Sequence, residues 1–381
     1  MNEAIDNYAS GKGGIRILGT EDAAVAAGNA FRTRLEALGL ADRIEVHQAP
    51  TSNAYAVTFT VAADHAKEWA PGHDTTQLCE TLGLDTAHNR VDLEKEILLA
   101  MLLSPLAFDF PGAEELAASV RIRMNIVEAA HKAVLAFNTV EAERPADYWT
   151  YAEATGFTVK PGKTLIAALQ KATQPDETNK RYSFSCYRAT EYVTLLGIAQ
   201  ELDNSNPVLG AQLQRLWETR AIMSGEFHDV FLREYGTMEA PLPLKFYVPG
   251  DRLWFRNPDE HSSDVEGYEG SWLFYLGNGL FNNFWKPEQP FTLRRKCLEI
   301  YHWRHGTYRN AEGTLHIDDA VIDARVAATL ADPEEHERIQ AQMLKLREPR
   351  GVYIDGGCID ATRECVRWVL PTSADLALPE R

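Results

Sequence analysis

One cysteine in this sequence stands where a thiol could act as a nucleophile. In the stretch YSFSCYRATEYVTLLGIAQEL, residues 182–202, the part up to Ser185 has the pattern of extended chain and the part from Ala189 onward that of a helix. Cys186 therefore falls in the first helical turn, where unpaired backbone N–H groups and the helix dipole favour a thiolate. This position predicts a reactive thiol, whereas a free cysteine elsewhere is as a rule a small buried hydrophobic residue.

The remaining cysteines and the histidines show no pattern typical of a disulfide framework or a metal site. Cys79, Cys297, Cys358 and Cys365 are scattered and form no CxxC pair, so we expect reduced thiols and neither a disulfide framework nor a zinc site. The sequence contains no HExxH motif and no GxSxG elbow, and the closest histidine pair is His302 with His305. We therefore expect no metal and no cofactor.

Three regions must position this thiol. Residues 1–115 form an N-terminal accessory α/β region, in which we predict a helix at Glu21–Leu38, an alternating strand at Ala54–Ala62 and an apolar helix at Val91–Leu103. Residues 311–381 form a C-terminal extension with an acidic helix, Pro333–Leu346, and a hairpin whose turn is Asp355-Gly356-Gly357.

The middle region, residues 116–310, places helices before strands. We predict helices at Ala117–Thr139, Leu165–Ala172 and Pro207–Arg220, together with the helix that starts near Cys186. Short aromatic strands follow, with the sequences LKFYV, DRLWFRN and SWLFYL, separated by Pro, Gly and Asp clusters. This order predicts an α+β fold and not alternating βαβ units.

Four stretches of the middle region carry a resemblance to a known family. They are RMNIVEAAHKAVLAFNTVEAERPADYWTYAEATGFTVKPG (residues 123–162), YSFSCYRAT, PGDRLWFRNPD and YEGSWLFYLGNGLFNN. Together and in this order, the stretches resemble the bacterial spore-coat type transglutaminases, which are protein-glutamine gamma-glutamyltransferases of the Bacillus kind. The resemblance covers about half of the chain, roughly residues 118–285.

The resemblance implies both a fold and a reaction. The family's fold is a compact, papain-like relative of the NlpC/P60 cysteine hydrolases, and its chemistry is calcium-independent acyl transfer. A thiolate, here Cys186, would attack a protein glutamine, ammonia would leave, and an amine would take the acyl group. Apolar walls would slow the competing attack of water. The aromatic strands could supply these walls and bind substrate through Trp254, Trp272, Tyr275 and Phe281.

The proton carriers of the family are missing from this chain. The family's partner glutamate aligns with Ser271, and the histidine that usually follows aligns near Asn283. Glu269 is the substitute for this glutamate that the sequence favours. It lies two residues before Ser271, and side chains two places apart on a strand point to the same face. His302 and His305 are weaker candidates, with a suitable pKa but no predicted position.

These departures leave three functions open. The first is a transglutaminase-like cysteine acyltransferase acting on protein or peptide glutamine and amine substrates. The second is a glutamine deamidase or amide hydrolase that uses the same thiol, because water attack on the same thioester gives that product. The third is an inactive relative that serves as a binding or scaffold protein.

Charge and hydropathy exclude several partner classes. With 38 Lys and Arg against 55 Asp and Glu, the formal net charge is −17, which repels nucleic-acid phosphates and anionic membranes. The sequence has no apolar run of about 18 residues, and its N-terminus lacks the layout of a secretory signal. We therefore expect a soluble, cytoplasmic protein with no nucleic-acid or membrane partner, and the oligomeric state stays open.

Overall fold

The chain opens with a four-stranded sheet. In this computed structural model, which describes residues 13–139, 141–348 and 356–379, the sheet has the order β2-β3-β1-β4, with β1 antiparallel to β3 and parallel to β4. Its strands are β1 (Gly14–Gly19), β2 (Ile44–Pro50), β3 (Tyr55–Val61) and β4 (Ala107–Phe110). The helices of this part are α1 (Glu21–Ala37), α2 (Ala63–Trp69), α3 (Leu78–Leu82) and α4 (Arg90–Leu102), with short 3₁₀ turns at Ala41–Arg43, Pro71–His73 and Thr75–Gln77.

The alternation in β3 decides which face of this sheet is buried. Val57, Phe59 and Val61 point to the same side and are buried, and the Phe59 ring packs edge-on against Phe31 of α1 at 4.9 Å between ring centroids. The predicted strand and the two predicted helices of this part are confirmed to within one or two residues at each end.

Helices dominate the next part of the chain. They are α5 (Ala113–Lys132), α6 (Leu165–Thr173), α7 (Cys186–Ser205), α8 (Pro207–Trp217) and α9 (Gly225–Phe231). Short strand pairs lie between them, β5 (Ala136–Phe137) with β8 (Ser183–Phe184) and β6 (Trp149–Ala152) with β7 (Gly156–Val159). Helix α5 crosses the boundary that we predicted near residue 115, so the two regions share a continuous element.

A six-stranded antiparallel sheet forms the second half of the fold, with the order β13-β12-β11-β10-β16-β9. The strands are β9 (Leu232–Tyr235), β10 (Arg252–Arg256), β11 (Gly270–Gly277), β12 (Leu280–Phe281), β13 (Phe291–Thr292) and β16 (Arg363–Val366). The hairpin β14 (Thr307–Arg309) and β15 (Leu315–Ile317) and the helices α10 (Glu260–Ser263), α11 (Leu293–Gly306), α12 (Asp319–Leu330) and α13 (Pro333–Met343) complete this half. The chain is thus a mixed helix-and-sheet protein.

Helix α7 runs through the centre of the molecule. Tyr192 and Leu196, like most side chains of this helix, are buried. Helix α5 crosses it so closely that a Cβ atom on Gly197 would lie 2.7 Å from Cγ1 of Ile126, so this position requires glycine. The close crossing fixes the N-terminus of α7, where Cys186 lies.

Two predicted elements of the middle region are wrong in part. The helix expected to reach Thr139 ends at Lys132, because the next backbone N–H groups donate to carbonyls far away in sequence, Val134 to Thr173 and Leu135 to Phe284. The predicted strand LKFYV is an irregular segment, because Thr75 satisfies its backbone: the Thr75 hydroxyl donates to the Tyr247 carbonyl and accepts from the Tyr247 amide.

The C-terminal region joins the central sheet. Strand β16 pairs with β9 along its length and with β10 at Arg252↔Glu364. The predicted acidic helix is confirmed as α13. The predicted hairpin cannot be compared, because its first strand and Asp355 lie outside the described residues.

No helix in the described ranges has both the length and the apolar character that crossing a membrane requires.

Candidate active site

Cys186 is the first residue of helix α7. The Ser185 hydroxyl oxygen accepts the amide N–H of Arg188 at 3.3 Å, and the Ser185 carbonyl accepts from Ala189 at 2.9 Å, as expected of an N-cap residue. The predicted helix start is therefore confirmed. All five cysteines are free thiols.

Burial shifts the pKa of the Cys186 thiol in the direction opposite to the one that the sequence predicted. The residue is partly exposed, but protein atoms surround its sulfur, and this burial raises the pKa of the thiol. The backbone amides of Trp272 and Tyr187 and the positive charges of Lys296 and Arg252 lower the same pKa by smaller amounts. The expectation of a lowered thiol pKa is corrected accordingly: the helix start contributes, but burial has the larger effect.

Two cavities meet at Cys186. The narrow cavity, of about 140 Å³, lies on the side of Ser271 and helix α11, and the wide cavity, of about 570 Å³, lies on the side of Trp254 and Trp272. Cys186 and Gly270 line both. A substrate in either cavity could therefore reach the thiol.

Two stacked tryptophans form one wall of the wide cavity. Trp254 of β10 lies directly opposite Trp272 of β11, and their rings stack at 6.2 Å between centroids. The indole of Trp254 lies over Gly270, where a Cβ atom would approach its Nε1 to 2.1 Å, so only glycine fits there. Both predicted substrate-binding tryptophans thus face the same cavity as Cys186.

Arg252 supports this wall from behind. Its guanidinium stacks on the Trp272 ring at 3.9 Å and on the Tyr187 ring at 4.7 Å, and its Nε donates to the Thr190 hydroxyl at 2.8 Å. It also forms an ion pair with Glu364 of β16. The C-terminal region therefore helps to position the residues that flank the thiol.

Tyr275 and Phe281 do not bind substrate at this surface, which corrects that prediction. Both side chains are fully buried in the core beneath the sheet, where their rings pack 5.2 Å apart. The Tyr275 hydroxyl is 3.2 Å from a carboxylate oxygen of Glu96. Their positions on the strands put them on the core side, and a substrate in either cavity has no access to them.

Glu269 lies in the wide cavity, although not for the reason that the sequence suggested. Strand β11 begins at Gly270, so strand alternation does not extend to Glu269, and Ser271 lines the narrow cavity instead. The Glu269 side chain is exposed and accepts the amide N–H of Gly267 at 3.4 Å. The carboxylate and the thiol border the same space, which keeps Glu269 as a candidate proton acceptor.

Asn283 holds a loop together. Its side-chain amide donates to the Gln289 carbonyl at 3.1 Å, and its carbonyl oxygen accepts the amides of Trp285 and Lys286 at 3.2 and 3.1 Å. It lines the narrow cavity, but an amide cannot exchange protons as a histidine does. Asn283, where the sequence resemblance leads us to expect the family's histidine, therefore has a structural role in this loop.

Neither candidate histidine lines the narrow or the wide cavity, which corrects the interpretation of His302 and His305 as proton carriers at the thiol. On helix α11, Lys296, Glu299 and Trp303 share the face that lines the narrow cavity. Position 305 lies on the opposite side of the helix axis from position 296. Nε2 of His302 is 2.8 Å from the Thr329 hydroxyl of helix α12. The pair belongs to the packing between α11 and α12.

The buried His302 gives the fold a pH dependence. Burial, with smaller effects from the charges of His305 and Arg325, lowers the pKa of His302 to about 4, from an ordinary value of about 6.5. Between these values the unfolded chain binds more protons, so the free energy of unfolding falls as the pH drops from about 6.5 to about 4.

His302→Gln should therefore lose less stability over this pH window: the fall in its free energy of unfolding should be smaller than that of the wild type by roughly 2 kcal/mol. Urea unfolding near neutral pH and near the acidic end of the window, with wild type and variant side by side, measures the difference. Equal losses of stability in the two proteins would show that His302 is not the group that titrates.

Lys296 and Glu299 are site residues that the sequence analysis missed. Lys296 is almost completely buried, forms an ion pair with Glu299 at 2.9 Å, and lines the narrow cavity together with Cys186. The available signal was their spacing with Trp303, which places all three on one face of a helix. That spacing alone does not show that the face meets the cysteine.

In the part of the chain that the structure describes, no three His, Cys, Asp or Glu side chains come together in a way that could hold a metal ion.

Comparison with known proteins identifies the family. The model of the protein-glutamine gamma-glutamyltransferase family matches residues 75–366, a span that includes Cys186, both cavities and the central sheet. The chain therefore belongs to this family, whose members are transferases.

Two relatives match part of the chain. A protein-glutamine gamma-glutamyltransferase of Halalkalibacterium halodurans is 24% identical over 219 residues, which cover 55% of this chain and 70% of the relative. A solved structure, the transglutaminase from Geobacillus stearothermophilus without its C-terminal extension, covers 56% of this chain and 98% of its own, at 19% identity and a TM-score of 0.39. Both relatives are bacterial transglutaminases.

Proposed function

We propose that this protein is a protein-glutamine gamma-glutamyltransferase that uses Cys186 as its nucleophile. The observation that carries the proposal is the family match over residues 75–366. Within that span, Cys186 is the cysteine that begins a helix and borders two cavities. The substrates are a glutamine of a protein or peptide and an amine.

The reaction needs two transfers at the same sulfur. The Cys186 thiolate adds to the carboxamide carbon of the glutamine, the C–N bond breaks, and the leaving nitrogen takes a proton and departs as ammonia. The amine nitrogen then attacks the thioester carbon, loses a proton and displaces the thiolate. The sum converts a primary amide and an amine into a substituted amide and ammonia.

Backbone amides can stabilise the anionic states at the thiol. The N–H groups of Trp272 and Tyr187 already favour the thiolate, and donors fixed in this way need no reorganisation during the reaction. The stacked rings of Trp254 and Trp272 add an apolar wall beside the sulfur. Such a wall disfavours water relative to an amine.

Glu269 is our candidate for the group that accepts and returns protons. Its exposed carboxylate lines the wide cavity together with Cys186. An exposed side chain can reorient when substrate binds, and catalytic contacts are often longer in the absence of substrate. We place substrate binding at Trp254 and Trp272 on the same wall.

The packing of helix α7 on the central sheet supports a proposal about the core. Helix α7 packs against β11, a central strand of the antiparallel sheet, and its N-terminal cysteine lies beside Trp272 of that strand. We extend the proposal to a papain-like, NlpC/P60-type core in the middle of the chain, with residues 1–115 as an accessory region and residues 311–381 as an extension.

Incorporation of a fluorescent amine into a glutamine-rich protein tests the proposed function. The wild-type protein should attach the amine and release an equal amount of ammonia. Ammonia release without amine attachment, together with conversion of glutamine to glutamate, would instead indicate a hydrolase. Absence of both products with several amines would support a scaffold role.

Removal of divalent metal should leave this activity unchanged. The proposed chemistry uses a thiol and a carboxylate, and neither step needs a Lewis acid. The measurement is amine incorporation after treatment with a chelator, with added calcium in a parallel sample. A strict requirement for calcium would contradict the proposed mechanism.

A further inference from the structure

The narrow cavity contains a buried cation beside the nucleophile. The Lys296 side chain is 4% exposed, and its amine lies 4.4 Å from the centre of the Phe291 ring and 5.5 Å from that of Trp303. Lysine is rarely buried to this extent unless it is paired, because removing an ammonium group from water costs free energy. Its ion-pair partner is Glu299, at 2.9 Å.

This cation lies in the cavity where the sequence resemblance leads us to expect the family's proton carriers. Ser271 and Asn283, which align with the missing glutamate and histidine, line the same narrow cavity as Lys296 and Cys186. A buried hydroxyl and a hydrogen-bonded amide stand there in place of an acid and an imidazole. Lys296 is thus a charged side chain that can act on the sulfur from this side.

We propose that Lys296 is a positioning residue for Cys186: its ammonium group favours the thiolate form of the sulfur from across the narrow cavity. Its role in turnover rests on the function proposed above, whereas its effect on the thiol does not. The proposal gives Lys296 an electrostatic role only, so it adds no proton transfer to the reaction.

The electrostatics of the site agree with this role. The charge of Lys296 lowers the pKa of the Cys186 thiol, in opposition to burial, and it ranks ahead of Arg252 in this effect. Arg252 acts from the wide-cavity side and is paired with Glu364.

Other charges face the same space. The further charged side chains that line the narrow cavity are Lys286, Arg295, Glu299, Asp319 and Asp323. Those that line the wide cavity are Arg144, Arg188, Glu266 and Glu269. Asp323 is paired with Lys286 at 2.8 Å and Asp319 lies 3.5 Å from the Tyr268 hydroxyl, so two of the carboxylates of the narrow cavity already have partners.

The pH dependence of Cys186 alkylation tests the proposal. The protein is treated with iodoacetamide over a range of pH, and mass spectrometry of the Cys186 peptide gives the rate at each pH. Lys296→Met should raise the midpoint of this profile by about one pH unit and slow alkylation near neutral pH about tenfold, since an opposite charge nearby shifts a pKa by about 1–3 units.

Two variants serve as matched controls. Lys296→Arg retains the charge and should restore most of the wild-type profile. Lys286→Met removes an exposed amine that is paired with Asp323 in the same cavity, and it should leave the midpoint unchanged. If Lys296→Met does not fold, as judged by circular dichroism, Lys296→Gln keeps a polar end for Glu299 and carries the same expectation.

The outcomes separate this inference from the proposed function. A folded Lys296→Met or Lys296→Gln protein with the wild-type profile would overturn the role of Lys296, even if amine incorporation is normal. The expected shift in a protein without amine incorporation would support the role of Lys296 and contradict the transferase function.

Discussion

Cys186→Ala is expected to abolish amine incorporation while the protein stays folded. Both transfers pass through a covalent bond to this sulfur, so its loss should reduce the rate by at least about 10³-fold. The thiol is at the edge of two cavities, and the helix keeps its N-cap at Ser185, so little packing is lost. Amine incorporation and thermal unfolding of the same sample measure the two effects.

Cys365→Ala is the control for this experiment. Cys365 is also a free, partly exposed cysteine, but it lies in strand β16 and lines neither cavity. Its replacement should leave incorporation close to the wild-type rate. If Cys186→Ala stays active and Cys365→Ala does not, the nucleophile has been assigned to the wrong residue.

Glu269→Gln is expected to lower amine incorporation by about 10²-fold, within the usual range for loss of a general acid or base. The amide has nearly the same size but cannot accept a proton from the thiol or from the attacking amine. The measurement is kcat/KM for amine incorporation by wild type and variant under the same conditions.

Glu266→Gln is the matched control. Glu266 is an exposed carboxylate that lines the same wide cavity three residues earlier, and its replacement should change the rate only slightly. Full activity of Glu269→Gln, or equal losses in both variants, would show that the proton acceptor is another group or that only the charge of the cavity matters.

Adding Ser271→Glu to Glu269→Gln should recover part of the lost activity. This change places a carboxylate at the position where the sequence resemblance predicts the family's glutamate, in the lining of the narrow cavity that also includes Lys296. No recovery in a folded double variant would indicate that Ser271 cannot present a carboxylate to the sulfur.

The sequence predicted the elements that depend on local pattern. Helix α7 has a continuous apolar core stretch and a serine cap, and both are visible in residues 185–202. The strands around Trp254 and Trp272 were predicted from aromatic runs bounded by turn residues. Periodicity and capping act over a few residues, so a single sequence is enough to find such elements.

The wrong predictions concern segments whose backbone or side-chain groups form hydrogen bonds with residues distant in sequence. Thr75 takes up the hydrogen bonds of Tyr247 and removes a predicted strand, and carbonyls from two other segments end helix α5 early. Glu96 of α4 binds the Tyr275 hydroxyl and the Asn278 amide and helps to bury Tyr275. Each of these contacts joins residues more than 35 positions apart, so no local pattern predicts them.

The sequence indicated the residues of the wide cavity but not those of helix α11 that line the narrow cavity. Cys186 has a local signal, because a helix start is a local feature. Lys296 lies on another helix, and its effect on the thiol depends on how α11 packs beside β11. Burial of the sulfur is likewise a tertiary property, which explains why the direction predicted for its pKa was wrong.

The most direct test of the account is to locate the acyl group during the reaction. The protein is mixed with a glutamine-containing peptide without an amine, the reaction is stopped with acid, and the digested products are analysed by mass spectrometry. We predict that the peptide is attached as a thioester to Cys186 with loss of ammonia, and that a later addition of amine releases it as the amide. Transfer of the peptide to the amine with the acyl group found on any other residue, or with no acyl-enzyme at Cys186, would contradict the proposed role of this thiol.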